Sequence, residues 1–291
     1  MKLYFYRAHH ANFGDELNLW LMPKIFPDFF DEDSSVLFLA IGSIILDTHP
    51  KDALKVVFGS GYAGYSDVPK IDDKWKFYCV RGRKTAEACG LSTDLVAGDT
   101  AILIHRHLPL NRHAKVYKFS YMPHWQSIDV GHWQRVCRWS GVHFIDPRRP
   151  VDEVLDELQK TEVLVTEAMH GAIVADALRV PWIPVQPAVT MHRQKWLDWA
   201  SALDLKLDPV VLGPSSTYEA KASSPLTGGL GALARAGVPG RKLASLALNK
   251  RAASALQRAT RMPPNLSSDA SLERALQKLE SAADRIRRDF V

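Results

Sequence analysis

The chain has 291 residues, 46% of them hydrophobic, 24% charged and 9% aromatic, with a formal net charge of +5. That balance supports a sizeable folded core and excludes a disordered, collagen-like or fibrous protein. No stretch approaches the ~18 consecutive apolar residues of a membrane span. The opening MKLYFYRAHHANFGDE turns polar too early for a signal peptide. Cys79, Cys89 and Cys137 have no CxxC spacing, which argues against a disulfide framework or structural zinc and favours a reducing cytoplasm. The positive charge belongs to the tail. From residue 219 onward 13 Lys and Arg face 6 Asp and Glu, giving +7 and leaving −2 for the preceding 218 residues. A nucleic-acid footprint would place basic residues on the folded body among aromatics, so nucleic acid is not an expected partner.

Short apolar β-rich runs alternate with helical patterns over the first 205 residues. Strands are predicted at 2–6, 36–41, 55–58 and 77–80, with a helix over 15–22 and another over 83–89 that stops at Gly90. Val96 and residues 101–104 flank a Gly98-Asp99 turn. After a polar break near 105–114 the rhythm restarts, with strands at 116–121, 142–145, 163–166 and 182–185. Helices fall at 130–140, 151–159 and 171–178. Strand–helix alternation with nearly continuous apolar strands predicts parallel sheets covered on both faces. The economical arrangement is α/β, two Rossmann-like domains facing a cleft, at 1–110 and 111–205, followed by C-terminal helices over 206–291. In the tail, Leu243, Leu246, Ala247, Ala253 and Leu256 lie near one helical face, with Lys250, Arg251 and Arg258 towards the other; 269–288 is a final charged helix. Two readings of these helices stay open: packing across the two domains, or a basic amphipathic surface meeting anionic lipid.

Ligands of open parallel sheets bind at the carboxyl edge, so residues directly after strands are the candidates. Asn12-Phe13-Gly14-Asp15 follows the first strand. Gly14 permits close approach, and Asp15 is either a catalytic carboxylate or a helix cap, with the motif spacing favouring the cap. Gly59-Ser-Gly61-Tyr-Ala-Gly64 matches a dinucleotide fingerprint in form, but the residues after it do not open a helix, so the glycines read as a tight loop at the cleft. Arg81 ends a strand where a guanidinium can grip a carboxylate or phosphate. Asp99 supplies a second carboxylate. The second half carries His124, then Arg148 and Arg149, then Glu167 and His170, each at a strand-to-helix junction. No histidine grouping has metal-ligand spacing.

These motifs, in this order, resemble the polysaccharide pyruvyl transferase family, and within it the bacterial exopolysaccharide ketal-pyruvyltransferases of the succinoglycan ketolase type. The stretches that carry the likeness are NFGDELN (12–18), FGSGY (58–62), VRGRKTAEACGL (80–91), GDTAIL (98–103), FIDPRRPVDEVL (144–155) and TEAMHGAIVADALRVPWIPV (166–185). The resemblance covers roughly residues 1–205. It implies a GT-B-like two-domain fold and transfer of pyruvate from phosphoenolpyruvate onto two hydroxyls of a sugar as a cyclic ketal, with release of phosphate. It also implies roles for Arg81, Asp15 and Asp99. The family's Arg-Leu-His triplet is Ala168-Met169-His170 here, so the histidine carries over and the arginine does not; Arg148 or Arg149 would have to supply the missing charge.

The proposed chemistry asks for cations around a small trianion, an acid for the methylene carbon and a base for a sugar hydroxyl, and it needs no redox cofactor or obligatory metal. His170 is the expected acid–base group, Asp15 and Asp99 handle or orient hydroxyls, and His124 contacts phosphate or acceptor. Asn12, Gly14, Gly59, Gly61 and Glu167 complete the expected substrate contacts. The acceptor is a saccharide, expected to be lipid-linked, which would bring the basic tail to the inner face of the cell membrane. Two other functions remain open: a GT-B glycosyltransferase using a nucleotide sugar, and a non-catalytic subunit of an envelope-polysaccharide assembly. Phosphate release, nucleotide release or neither separates the three.

Overall fold

The computed structural model describes residues 1–7, 9–110, 113–186, 192–222 and 240–290. Two parallel sheets organise them. The first holds β1 (Lys2–Tyr4), β2 (Val36–Leu39), β3 (Leu54–Phe58) and β4 (Trp75–Cys79) in sequential order, with Leu3 opposite Phe38, and Phe38 opposite Val56. Helix α1 (Phe13–Ile25) makes the first crossover, burying Phe13, Leu17, Leu21 and Ile25 along one stripe. Asn18, fully buried on that stripe, exchanges side-chain hydrogen bonds with both backbone groups of Ile41 at 3.0 Å, which fixes α1 to the carboxyl end of β2. Helix α2 (Arg83–Ala88) stops before Gly90, whose φ of +64 suits the predicted helix end. Residues 101–104 run from a 3-10 turn into the short helix α3 (Ile104–His107).

The second sheet has the order β6-β5-β7-β8-β9, again all parallel: β5 (Tyr117–Met122), β6 (His143–Phe144), β7 (Thr161–Thr166), β8 (Trp182–Gln186) and β9 (Val210–Val211). From β5 the chain moves to β6 on one side, then returns past β5 to β7. The strand order therefore reverses between β5 and β7, which places a ligand crevice at their carboxyl ends. The helix predicted over 130–140 is α5 (Trp133–Ser140), which starts three residues later than expected; a separate short helix absent from the sequence prediction, α4 (Trp125–Val130), precedes it and ends at Gly131, whose amide donates to Ser127 O. Helices α6 (Val151–Gln159) and α7 (Met169–Ala177) form the crossovers on either side of β7. Helix α8 (Arg193–Ala200), absent from the sequence prediction, follows β8 and buries Trp196 and Trp199 against Trp182. The short helix α9 (Thr217–Ala222) closes this unit.

The tail packs on both sheets. Helix α10 (Gly240–Ala259) buries Ala252, Ala253, Ala255, Leu256 and Ala259 in the core beside α5. The predicted apolar face of α10 is correct only in its second half: Leu243 and Leu246 are exposed, because the helix meets the core from Asn249 onward and its first turns project past it. Helix α11 (Asp269–Phe290) buries Leu272, Leu276, Leu279 and Ile286 in the same cluster as Phe38, Val56 and Phe58 of the first sheet. Those four side chains together stabilise the docking by roughly 6–12 kcal/mol of apolar burial. The same cluster includes Leu164 and Trp182 of the second sheet, so one core runs beneath both carboxyl edges. Among the described residues no helix is long and apolar enough to cross a membrane, and the three cysteines are free and buried.

Candidate active site

Three buried polar atoms among the described residues share one neighbourhood and have no hydrogen-bond partner: Arg81 Nη2, Asp99 Oδ2 and His170 Nε2. Arg81 and Asp99 follow strands of the first unit, and His170 stands in the first turn of α7 in the second. His170 Nε2 lies 3.5 Å from Asp99 Oδ2. Asp99 is held by its other oxygen, which accepts from Ala101 N at 3.0 Å, so Oδ2 stays aimed at the imidazole. The imidazole also presses on Gly14, where an added Cβ would fall 2.1 Å from Nδ1. Any side chain at Gly14 would displace His170.

Arg81 is fully buried and locked. Its Nε donates to Asp198 Oδ2 at 2.9 Å and its Nη1 to Ser43 Oγ at 2.7 Å. Asp198 in turn accepts from Thr85 N at 2.9 Å and Thr85 Oγ1 at 2.6 Å. Gly61 passes so close that a Cβ would sit 2.1 Å from the guanidinium carbon. Gly59 bonds its amide to Cys79 O at 3.0 Å, and no helix follows these glycines before β4, as the loop reading expects. The fixed Arg81 leaves one N–H edge unpaired, which suits a small anion.

Asp15 does not cap α1. Asn12 occupies the cap position in extended backbone, and its amide donates to Asp15 Oδ2 at 2.8 Å. Burial raises the Asp15 pKa, against the opposing pull of Asn12, His170 and Lys195. Lys195, on α8, is the cation that the sequence reading missed. His192, Lys195 and Asp198 follow one another at three-residue spacing, which sets them on one face. Asp198 binds Arg81, and the His192 ring meets Tyr65 with centroids 4.7 Å apart, so Lys195 is bracketed by two contacts to the first unit. Its ammonium has no hydrogen bond or ion pair among the described residues, and burial, aided by Arg81, pushes its pKa down to about 8. His124 belongs to the same cluster. Burial first, then Lys195 and His192, push its pKa down to about 3, so the ring is neutral; Nδ1 accepts from Gln126 N at 3.4 Å, which leaves Nε2 as the N–H donor.

The family sequence pattern for polysaccharide pyruvyl transferase matches residues 12–187. The chain belongs to the polysaccharide pyruvyl transferase family. It is 33% identical, over 316 aligned positions that span the whole of both chains, to the succinoglycan biosynthesis protein ExoV of Rhizobium meliloti (strain 1021). No solved structure matches it significantly.

The family pattern ends before α8, and so it contains Asp15, Arg81, Asp99, His124 and His170 but neither Lys195 nor Asp198. Other expected site residues are placed elsewhere. Glu167 is turned inward and fully engaged: the Tyr121 hydroxyl, Ser127 Oγ at 2.6 Å and His124 N at 3.3 Å all donate to it. A carboxylate 3% exposed with three donors positions β5 and the His124 turn; it has no free oxygen for substrate. Arg148 and Arg149 are likewise not brought to the cluster. Arg148 pairs bidentately with Asp146, at 3.0 and 2.8 Å, and Arg149 pairs with Glu153 and Glu157. Each is already neutralised by carboxylates on its own side of the sheet, which removes the reason to assign either the family arginine's charge.

Proposed function

We propose that this polysaccharide pyruvyl transferase moves pyruvate from phosphoenolpyruvate onto two hydroxyls of an exopolysaccharide sugar as a cyclic ketal. The observation that carries the reading is the Arg81 guanidinium edge without a hydrogen bond and the facing Asp99–His170 pair, 3.5 Å apart, gathered with Lys195, which has no ion pair among the described residues. Arg81 and Lys195 hold the carboxylate and phosphate of the donor, Lys195 supplying the charge that Ala168 lacks. His124 donates its Nε2–H to a phosphate oxygen without adding charge. His170 delivers a proton to C3 of the enol, converting CH2 to CH3, as the first sugar oxygen bonds to C2 and loses its proton to Asp15. The C2–O bond to phosphate then breaks and the second hydroxyl oxygen takes its place, its proton leaving with the phosphate as HPO4²⁻. Asp99 orients His170 through the whole sequence. Two Rossmann-like units facing a GT-B-like cleft provide the frame for such a bridged site.

A lipid-linked acceptor belongs to this reading, with the exposed Leu243, Leu246, Lys250 and Arg251 of α10 turned to the anionic inner leaflet. The deciding experiment follows inorganic phosphate from phosphoenolpyruvate with and without oligosaccharide acceptor, and weighs the product for one added pyruvyl ketal. Acceptor-dependent phosphate release supports the proposal; nucleotide release from a nucleotide sugar, with phosphoenolpyruvate inert, overturns it.

A further inference from the structure

A cavity of about 470 Å3 opens beside the second sheet, away from the Arg81–His170 cluster. It lies between the first turns of α5 and the carboxyl end of β6, and Arg135, Arg138, Arg148 and Arg149 line it with one carboxylate, Asp146. The four arginines fall into two kinds. Arg148 is fixed by Asp146 and Asp129, and Arg149 by Glu153 and Glu157, so these two form a rigid wall. Arg135 and Arg138 are three residues apart on one face of α5, exposed, and their side chains have no ion pair or hydrogen bond among the described residues. Two uncompensated guanidinium groups on one wall of a concavity raise the local potential and favour a polyanion. The first turn of α5, whose residues His132 to Arg135 also line the cavity, carries no acidic side chain, and the helix dipole there adds in the same direction. Burial lowers the pKa of His132, and the Arg135 charge adds to that in the same direction.

One backbone contact links the cavity wall to the segment that carries Asp15. Pro147 O, between the cavity residues Asp146 and Arg148, accepts from Phe13 N at 2.8 Å, and Phe13 is two residues from Asp15. A substrate anchored in the cavity would therefore extend along this junction towards Asp15. We propose that the cavity binds a phosphoryl or diphosphoryl group carried by the acceptor saccharide, separately from the donor phosphate. This rests on the pyruvyl-transfer reading for the identity of the acceptor but not for the existence of the anion site. Guanidinium forks match phosphate oxygens bidentately, and two of them suit a diphosphate better than a single phosphate.

The test uses the full chain and the double variant Arg135→Ser/Arg138→Ser, whose exposed positions leave folding intact by Tm. Inorganic diphosphate is titrated calorimetrically into each protein with phosphoenolpyruvate present to occupy the donor site. The double variant should bind at least about tenfold more weakly, a loss of about 1.4 kcal/mol; equal affinity overturns the site. In a second arm, KM is compared for a saccharide joined by diphosphate to a prenol, a saccharide joined by diphosphate to a nucleoside, and the same saccharide without phosphate. The variant should raise KM for both diphosphate-linked acceptors and leave the unlinked one unchanged. A rise confined to the prenol-linked acceptor still supports the site and names a membrane source. An unchanged KM for all three, with diphosphate affinity reduced, overturns the assignment to the acceptor. Absence of turnover with any acceptor counts against the pyruvyl-transfer reading instead, and calorimetry still decides the site.

Discussion

The carboxyl edges of the two sheets each present a buried acid whose pKa is raised, and burial is the leading cause at both. Asp15, on the first, receives one side-chain hydrogen bond from Asn12 and otherwise feels His170 and Lys195. Glu167, on the second, is pushed up to about 7 although three donors serve it. A shifted pKa in a cleft therefore does not by itself mark a catalytic group. What separates the two is capacity left over. Beside Asp15, His170 Nε2 and the Lys195 ammonium have no hydrogen bond among the described residues, whereas around Glu167 each described neighbour is spent on holding β5, β7 and α4 together.

The largest loss should come from Arg81, where architecture and chemistry coincide. Arg81→Ala strands the buried Asp198 carboxylate and should destabilise the fold by about 3–5 kcal/mol as well as abolish donor use. Arg81→Lys, which keeps a charge for Asp198 but loses the fork, should retain most of the Tm and still raise donor KM steeply. A lysine variant with wild-type kcat/KM would remove Arg81 from the donor site. His170 comes next. His170→Ala should lower turnover by at least about a hundredfold with little change in Tm, since loss of a general acid or base typically costs ~10²–10⁴-fold. Normal turnover in a folded variant would sink the assignment. Gly14→Ala should mimic it, because the added methyl occupies the place of the imidazole.

Much of this was legible in the sequence, for reasons that differ by element. The alternation of apolar runs with helical periodicity located the strands β1 to β8 along the chain, and Gly14 marked a place of close approach, now seen to be that of a ring; Gly61 read only as part of a tight loop, and the guanidinium pressing on it was not foreseen. The partners of Arg81 were not legible, because Asp198 is 117 positions away on a helix whose sequence, RQKWLDWA, buries tryptophans without a clean amphipathic period. Lys195 shares that helix. The inward turn of Glu167 was also hidden: its three donors come from Tyr121, His124 and Ser127, 40 to 46 residues upstream, and only the pairing of β5 with β7 brings them together. Helix α4 was hidden as well, being only six residues long, and its end at Gly131 is why the next helix starts at Trp133 rather than at 130.

Lys195 offers a sharper contrast with smaller numbers. Lys195→Met should raise the KM for phosphoenolpyruvate roughly ten- to a hundredfold, as loss of one charge-assisted contact worth about 1.5–3 kcal/mol implies, and leave kcat nearly intact. Removing a half-buried ammonium that has no ion pair among the described residues should leave Tm unchanged or slightly higher. Its pKa of about 8 adds a signature. The ammonium is charged below that value and neutral above it, so wild-type donor KM should climb as pH rises through about 8, while the methionine variant shows no such inflection. Identical pH profiles would return the lysine to a bystander role.

The smallest effect on turnover belongs to Glu167, and it tests the other half of the comparison. In the folded chain Glu167 keeps its proton up to about pH 7, whereas an unfolded glutamate loses it near 4.5. Between those values the native state binds more protons than the unfolded state, so stability falls as pH rises. The contribution is fully present below about 4.5 and is lost as pH passes 7, on the order of 3 kcal/mol in total for a shift of that size. Glu167→Gln cannot ionise; its amide oxygen can replace the carboxylate oxygen that accepts from Ser127 Oγ and His124 N, while its NH2 donates to the Tyr121 hydroxyl oxygen. Its Tm relative to wild type should therefore rise between pH 5 and pH 8, with kcat and both KM values close to wild type throughout. Parallel Tm profiles would place the raised pKa on another group. A large fall in kcat at matched Tm would do more: it would move Glu167 from the scaffold into the reaction, and with it the catalytic centre from the junction of the two sheets to the crevice between β5 and β7.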